Sequence, residues 1–205
     1  MTILKLEDFS LLPLPKVMAD ACLRASYINL VSALEVCDIH PHECGLSDMF
    51  RQGWTAAGMA REPDAYAREQ WMMAPTDKHS VLPFVLVRRD GHVPAETILC
   101  LNPHPDGPRA DSTTLVDPGQ KQCGIGSIIL AHLVGIAGGQ GCRTFHATVA
   151  EANVNSHRRF DRLVEAGLAR REGLRSVGPK WRHYTVPTYY RPAEIHRALL
   201  PQARP

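Results

Sequence analysis

The stretch Lys121-Gln122-Cys123-Gly124-Ile125-Gly126-Ser127 decides the fold, because it joins a short β-branched run to a long apolar run. Upstream, Thr113-Thr114-Leu115-Val116 predicts a strand, which Asp117-Pro118-Gly119 ends. Downstream, apolar residues recur at helical spacing from Ile125 to Ala137. The first turn of such a helix carries unpaired N–H donors and a partial positive charge, and glycines let a ligand approach the backbone. The stretch therefore predicts a strand, a glycine-containing loop and a helix that together form a seat for phosphate.

Length and composition indicate one globular domain. The chain has 205 residues, of which 44% are hydrophobic, and it has no run of about 20 apolar residues that would cross a membrane. Six cysteines are scattered without a Cys-x-x-Cys pair, and the first residues do not have the pattern of a secretory signal. We expect a cytoplasmic protein with reduced thiols and no membrane partner.

The remaining chain predicts helices first and strands afterwards. Helical periodicity and helix-start signals predict a mainly helical segment over 17–75, beginning with one helix over 17–36. From residue 80 onward, alternating and β-branched runs predict strands, with a hairpin turn at 89–92. This order predicts an α/β (α+β) fold with one mixed sheet. The predicted elements of this part are strands at 81–87, 97–101, 113–116, 143–150, near 168–177 and at 181–186, a helix at 154–166 and a short helix within 188–205, while a short strand at Ile3–Leu6 and a Pro13/Pro15 turn precede the helical segment.

Element order and motif together resemble the GNAT superfamily of N-acetyltransferases. That family has an Arg/Gln-x-x-Gly-x-Gly/Ala signature between its fourth strand and third helix, and Lys121 to Gly126 fits it except that Lys replaces Arg or Gln. A strand over 145–149, an Asn at 153 and a helix closing on Gly167-Leu168 are similar to the next family features. The resemblance covers about residues 80–186. It implies a mixed, mostly antiparallel sheet of six to seven strands flanked by helices, here with an enlarged N-terminal helical segment.

The resemblance also implies an acyl-coenzyme A site without a metal cofactor. Backbone N–H groups of Lys121, Gln122, Cys123, Gly124, Ile125, Gly126 and Ser127 would hold the pyrophosphate of acetyl-CoA. The strand around Leu115 and Val116 would pair with the pantetheine arm, and Asn153, Ser156 and Phe160 would line its further course. The thioester would sit where the sheet splays between its fourth and fifth strands. A primary amine, carried by a small molecule or a peptide, would then attack the acyl carbon directly.

Acid–base groups for this reaction are harder to assign from the sequence. Many family members place a Tyr as general acid on the helix after the Asn, whereas here Phe160 occupies that region and cannot donate a proton. Tyr184 is our candidate acid from the C-terminal side, with Tyr189 and Tyr190 as further options. His146 and Glu96 are the candidate bases. A homologue that binds CoA without catalysis remains an alternative because of Phe160.

Two other features admit competing interpretations. Cys37, His40, His42 and Cys44 could ligate zinc, but four ligands within one octapeptide favour a polar loop. Residues 157–184 hold eight Lys/Arg against three Asp/Glu, which suits a solvated face, the phosphates of CoA or DNA. The helix and hairpin there resemble part of a winged-helix DNA-binding domain, although the strand at 143–149 stands where that fold needs a helix. We therefore expect no nucleic-acid partner.

Together these observations predict a single GNAT-like domain over 1–205. Residues 17–75 would shape the acceptor side, residues 80–186 would form the acyl-CoA-binding core, and 187–205 would be a C-terminal appendage. The helical segment could instead serve homodimer formation. The acceptor amine and the acyl-chain length stay open.

Overall fold

A seven-stranded sheet organises the protein in the computed structural model. Its strands follow the order β1-β2-β3-β4-β5-β7-β6, and every neighbouring pair is antiparallel except β4 and β5. This mixed, mostly antiparallel sheet with flanking helices confirms the predicted fold class. The strands are β1 Phe9–Pro13, β2 Ser80–Arg88, β3 Ala95–Asn102, β4 Arg109–Val116, β5 Thr144–Ala150, β6 Arg170–Glu172 and β7 Trp181–Pro187, and the helices are α1 Leu14–Ala19, α2 Ala21–Val36, α3 Ile125–Gly139, α4 Val154–Glu165 and α5 Pro192–Leu199. The structure describes residues 4–36, 60–61, 80–105, 107–120, 123–172 and 181–200.

Each face of the sheet is covered by its own set of helices. Helices α1 and α2 pack on one face against a cluster that includes Val85, Val87 and Leu115. Helices α3, α4 and α5 pack on the other face, where the core includes Leu86, Leu99 and Phe145 among its buried residues. Alternating residues of one strand thus enter two different cores, as the pleat requires. We call these the α2 face and the α3 face.

The first part of the chain differs from the sequence prediction in two places. Residues 6–8 form a single 3-10 turn, and the strand lies further on, at Phe9–Pro13, where it pairs with β2. Pro13 is tolerated in this strand because β1 is the edge of the sheet, where a missing N–H donor costs little. The predicted helix over 17–36 is divided at Asp20, whose carboxylate accepts hydrogen bonds from the N–H groups of Cys22 and Leu23 and so caps α2.

The second half of the chain follows the predicted element order. The loop, helix, strand and helix that follow β4 stand in the expected sequence, and the hairpin turn after β2 contains Gly91 with φ of +85°. Strand β4 begins at Arg109, four residues earlier than predicted. Strand β5 lies inside the sheet and α4 buries Phe160 and Leu163 in the core, so the winged-helix alternative is wrong. The Cys37/His40/His42/Cys44 loop lies outside the described residues.

Candidate active site

The N-terminus of α3 is built by a glycine with a left-handed backbone. Gly124 is the N-cap residue with φ of +90°, a conformation that costs a residue with a Cβ about 1–2 kcal/mol. Its carbonyl accepts hydrogen bonds from the N–H groups of Ser127 at 2.9 Å and Ile128 at 3.2 Å, which starts the helix. Cys123 and Gly124 are exposed, so this positive helix end opens to solvent. Of the predicted loop residues, Lys121 and Gln122 lie outside the described part of the chain.

An opening in the sheet leads away from this helix end. Strands β4 and β5 are parallel neighbours that pair only at Arg109 with Thr144 and at Ala110 with Phe145 within the described residues. Both strands run on well past these pairs, to Val116 and Ala150. Neighbouring strands normally pair along their length at a spacing of about 4.8 Å, so this limited pairing leaves two strand edges facing one gap. An extended ligand backbone can add to such an edge.

Two titratable residues follow the last β4–β5 pair, at the closed end of this gap. Ala110 and Phe145 point into the core on the α3 face, so the next residues, Asp111 and His146, point to the α2 face. Asp111 and His146 directly follow the last β4–β5 pair on their strands. The Nε2 atom of His146 lies 2.9 Å from the hydroxyl oxygen of Thr144. The carboxylate of Asp111 accepts a hydrogen bond of 2.8 Å from the side-chain amide of Asn102.

Cys100 occupies the position on β3 opposite Asp111. Burial and the negative charge of Asp111 raise the pKa of its thiol to about 12. At neutral pH this thiol is protonated, and it is therefore a poor nucleophile. The sulfur chemistry of a covalent acyl-enzyme is thus disfavoured at Cys100.

Glu96 also lies on the α2 face, nearer the wide end of the opening. It pairs with Leu115 across β3 and β4 and accepts a 2.6 Å hydrogen bond from the buried hydroxyl of Tyr27 on α2. Burial raises the pKa of Glu96, and the Tyr27 hydrogen bond opposes that rise. Four residues of strand separate it from Cys100, which corresponds to about 13 Å. Glu96 therefore lies too far along the sheet to act on the same substrate atom as Asp111 and His146.

The predicted residues of α4 have local and core contacts. Asn153 is the N-cap of α4, and its Oδ1 accepts a 3.1 Å hydrogen bond from the N–H of Ser156. Phe160 is buried and stacks on Tyr184 with ring centroids 5.0 Å apart. The roles of these three helix residues toward CoA stay predictions.

Tyr184 lies on the α3 face, opposite to the face of His146. Its hydroxyl donates to Asp161 at 3.0 Å and lies 3.0 Å from Nδ1 of His157. Burial and the Asp161 carboxylate raise its pKa. These contacts place Tyr184 in the core beneath α4, and its role as a general acid stays a prediction. Tyr189 is 75% exposed, and Tyr190 donates to the carbonyl of Gly167.

Sequence reasoning missed two residues that the structure brings to the site. Asp111 lies two residues before the predicted strand over 113–116, so the predicted alternation does not include it. In the sequence Arg159 is one charge of the basic stretch over 157–184, whereas in the structure its guanidinium lies against Gly126 at the start of α3. Its i, i+3 spacing from Ser156 is a sequence signal for a shared helix stripe.

Neither a membrane span nor a metal centre is evident in the described residues. Their helices are too short or too polar to cross a membrane. Within the same ranges, no three His, Cys, Asp or Glu side chains cluster as metal ligands would.

Comparison with known proteins gives a family and a set of similar structures. The chain is similar to Mycobacterium smegmatis RimJ in complex with CoA-disulfide, at 16% identity, with 70% of this chain and 69% of that chain covered and a TM-score of 0.51. It is also similar to the GNAT domain of S. lividans PAT (18% identity, 59% and 68% covered, TM-score 0.43) and to a spermidine N-acetyltransferase SpeG mutant from Vibrio cholerae (10% identity, 61% and 73% covered, TM-score 0.45). No curated protein sequence matches it. The profile of the Acetyltransferase (GNAT) family matches residues 45–164, which is more than half of the chain. The chain therefore belongs to the GNAT family of acetyltransferases.

Proposed function

We propose that this protein transfers an acetyl or other acyl group from coenzyme A to a primary amine by direct attack. The observation that carries the proposal is the opening between β4 and β5, which runs from the positive end of α3 to Asp111 and His146. Its length along β4, from Val116 to Asp111, is about 17 Å of strand. A phosphate group at one end and a thioester at the other would suit the two ends of this opening.

The proposed chemistry needs one proton acceptor at the closed end. The neutral amine nitrogen attacks the thioester carbonyl carbon, a C–N bond forms, the C–S bond breaks, and the nitrogen gives up a proton. His146 would accept that proton directly or through water, and Asp111, which follows the last β4–β5 pair on the other strand, would stabilise the charge that forms. The thiolate leaves with the electron pair of the C–S bond and takes a proton from solvent.

The face on which the acceptor would arrive carries carboxyl groups. Glu96 and Asp111 both lie on the α2 face, where they accept hydrogen bonds from Tyr27 and Asn102. Carboxyl groups on this face favour an acceptor that reaches the site as an ammonium ion. Diamines and amine-bearing side chains are therefore the first acceptors to test.

Two isosteric substitutions at one residue test the CoA site. Asn and Asp both tolerate the left-handed backbone of Gly124 and both are good N-cap residues, so they differ mainly in charge. We expect Gly124→Asp to abolish CoA binding measured by calorimetry, because its carboxylate occupies the phosphate position. Gly124→Asn should keep most of the affinity. Equal affinities of the two variants, or a wild-type protein that does not bind CoA, would contradict the proposed site.

Turnover with an amine panel tests the catalytic part. His146→Gln and Asp111→Asn should each lower kcat by about 10²- to 10⁴-fold with little change in CoA affinity. Glu96→Gln is the matched control on the same face and should retain most of the activity. A wild-type protein that binds CoA but acetylates no amine would instead support the non-catalytic alternative.

A further inference from the structure

Arg159 of α4 and Gly126 of α3 fit closely against each other, so a larger residue at 126 would have to displace the guanidinium of Arg159. A Cβ built on Gly126 would lie 2.8 Å from Cζ of Arg159, 3.0 Å from Nη1 and closer still to Nη2. Because Cα–Cβ bonds of a helix tilt toward its N-terminus, the guanidinium lies beside the first turn of α3. The second glycine of the loop motif therefore makes room for an arginine from another helix.

This guanidinium has no anionic partner in the part of the chain that the structure describes. The neighbouring carboxylate on α4, Asp161, is engaged by Arg171 at 2.5 Å and by Tyr184. Arg159 forms no ion pair there, and burial alone lowers its pKa to about 10. It is still a cation at neutral pH. A desolvated and unpaired cation is costly, so its position needs an explanation beyond packing.

The surroundings of Arg159 are themselves positive. The first turn of α3 presents backbone N–H groups and the positive end of the helix macrodipole to the same place. A cation and a positive helix end repel each other unless an anion lies between them. Guanidinium groups bind phosphate oxygens through two parallel N–H donors, and helix N-termini bind them through backbone N–H groups.

We propose that Arg159 is a direct ligand of the pyrophosphate of coenzyme A, which it clamps from α4 against the first turn of α3. This inference rests on the proposed function, since it deepens the same site. Ser156 lies one turn earlier on the same stripe of α4, so the stripe would follow the ligand from its phosphates toward the pantetheine arm. The exposed neighbour Arg158 points elsewhere and would contribute only weakly.

The test compares Arg159→Met with Arg158→Met and Arg159→Lys. We expect Arg159→Met to raise the dissociation constant for CoA by about 10- to 100-fold, as expected for the loss of charge-assisted hydrogen bonds. Arg158→Met removes the same charge one residue away and should change the dissociation constant for CoA by less than about threefold. Arg159→Lys keeps the charge but lacks the two parallel N–H donors of the guanidinium. Its dissociation constant for CoA should therefore lie between those of wild type and Arg159→Met.

Substrate fragments show which part of the ligand Arg159 contacts. S-acetyl-pantetheine has no phosphate, so its kcat/KM should be the same for wild type and Arg159→Met, whereas kcat/KM for acetyl-CoA should drop. 3′-Dephospho-CoA keeps the pyrophosphate and should show the same loss as CoA. The assignment is overturned if Arg159→Met does not weaken the binding of 3′-dephospho-CoA. It is also overturned if the variant lowers kcat/KM for S-acetyl-pantetheine as much as for acetyl-CoA.

Failure of this inference is distinguishable from failure of the proposed function. Wild-type protein that binds CoA together with an Arg159→Met variant that binds it equally well would refute the role of Arg159 and leave the CoA site intact. Wild-type protein that binds no CoA would refute both proposals. Circular dichroism of each variant confirms that it is folded before its affinity is interpreted.

Discussion

A buried arginine whose anionic partner is a ligand should destabilise the folded protein when that ligand is absent. Arg159 has no anionic partner in the described residues, and burial lowers its pKa to about 10. We therefore predict that Arg159→Met makes the ligand-free protein more stable. Met is unbranched and nearly as good a helix former as Arg, so it keeps the apolar stem and removes only the charge.

The size of the gain follows from the lowered pKa. The decrease in pKa from the ordinary value of an arginine to about 10 corresponds to about 3 kcal/mol of unfavourable free energy for the charged form. Arg159 is only partly buried as a residue, so solvent screening reduces that figure, and we expect a gain of about 1–2 kcal/mol. For a chain of this length, each kcal/mol raises Tm by about 2–4 °C.

The assay is urea unfolding, with thermal unfolding beside it, in a buffer free of phosphate and sulfate. Because the folded-state pKa lies below the unfolded value, the unfolded chain binds more protons between about pH 10 and the ordinary pKa of an arginine. The penalty is therefore fully present below about pH 10 and is lost as the pH rises through that window. The advantage of Arg159→Met should be constant from pH 7 to 9 and smaller at pH 10.5.

Added CoA should make the wild-type protein more stable than Arg159→Met, which reverses their order in the absence of ligand. A ligand at about 100 times its dissociation constant stabilises the folded state by about 2.7 kcal/mol, and the variant binds it more weakly. Arg158→Met is the control and should show neither the gain nor the reversal. The reasoning is refuted if Arg159→Met destabilises the ligand-free protein by more than about 1 kcal/mol, since the guanidinium would then have a partner in solution.

Three further predictions test neighbouring parts of the site. Burial raises the pKa of Glu96, so carboxylate formation above pH 4.5 costs stability, and Glu96→Gln should stabilise the protein at pH 8 but not at pH 4 in urea unfolding. Cys123 is exposed in the loop, so saturating acetyl-CoA should slow its alkylation in mass-spectrometric labelling, whereas the exposed Cys22 on α2 should react at an unchanged rate. Tyr184→Phe leaves Asp161 and His157 without a hydroxyl and should lower the free energy of unfolding by about 1–3 kcal/mol, with CoA affinity unchanged in calorimetry; a loss of kcat without a loss of stability would restore it as a catalytic acid.

The phosphate end of the proposed site can be predicted from the sequence, whereas its catalytic end cannot. Its phosphate end is encoded within a few consecutive residues, because a left-handed Gly124 and the following helix start are local events. Its proposed catalytic end is not local, because Asp111 and His146 lie on different strands and are brought to one end of the gap only by the pairing of β4 with β5. A one-residue shift of either strand would turn its side chain to the other face.

Gly126 has one role that the sequence predicts and another that the structure shows. The sequence predicts that it is part of a phosphate-binding loop, where the absence of a Cβ lets a ligand approach the backbone. In the folded protein the space left by the missing Cβ is taken by Arg159 from α4. The motif therefore encodes a contact between two helices, which no spacing rule along the chain could predict.

The sequence by itself determined the element order of the second half, the glycine that starts α3 and the family to which the chain belongs. It could do so because turn chemistry, capping and hydrophobic period depend on residues close in the chain. The edge strand Phe9–Pro13, the early start of β4 at Arg109 and the neighbours of Arg159 were decided by the tertiary structure. Strand edges, register and the partners of a buried charge are properties of segments far apart in sequence, and they exist only once the sheet and its helices have packed.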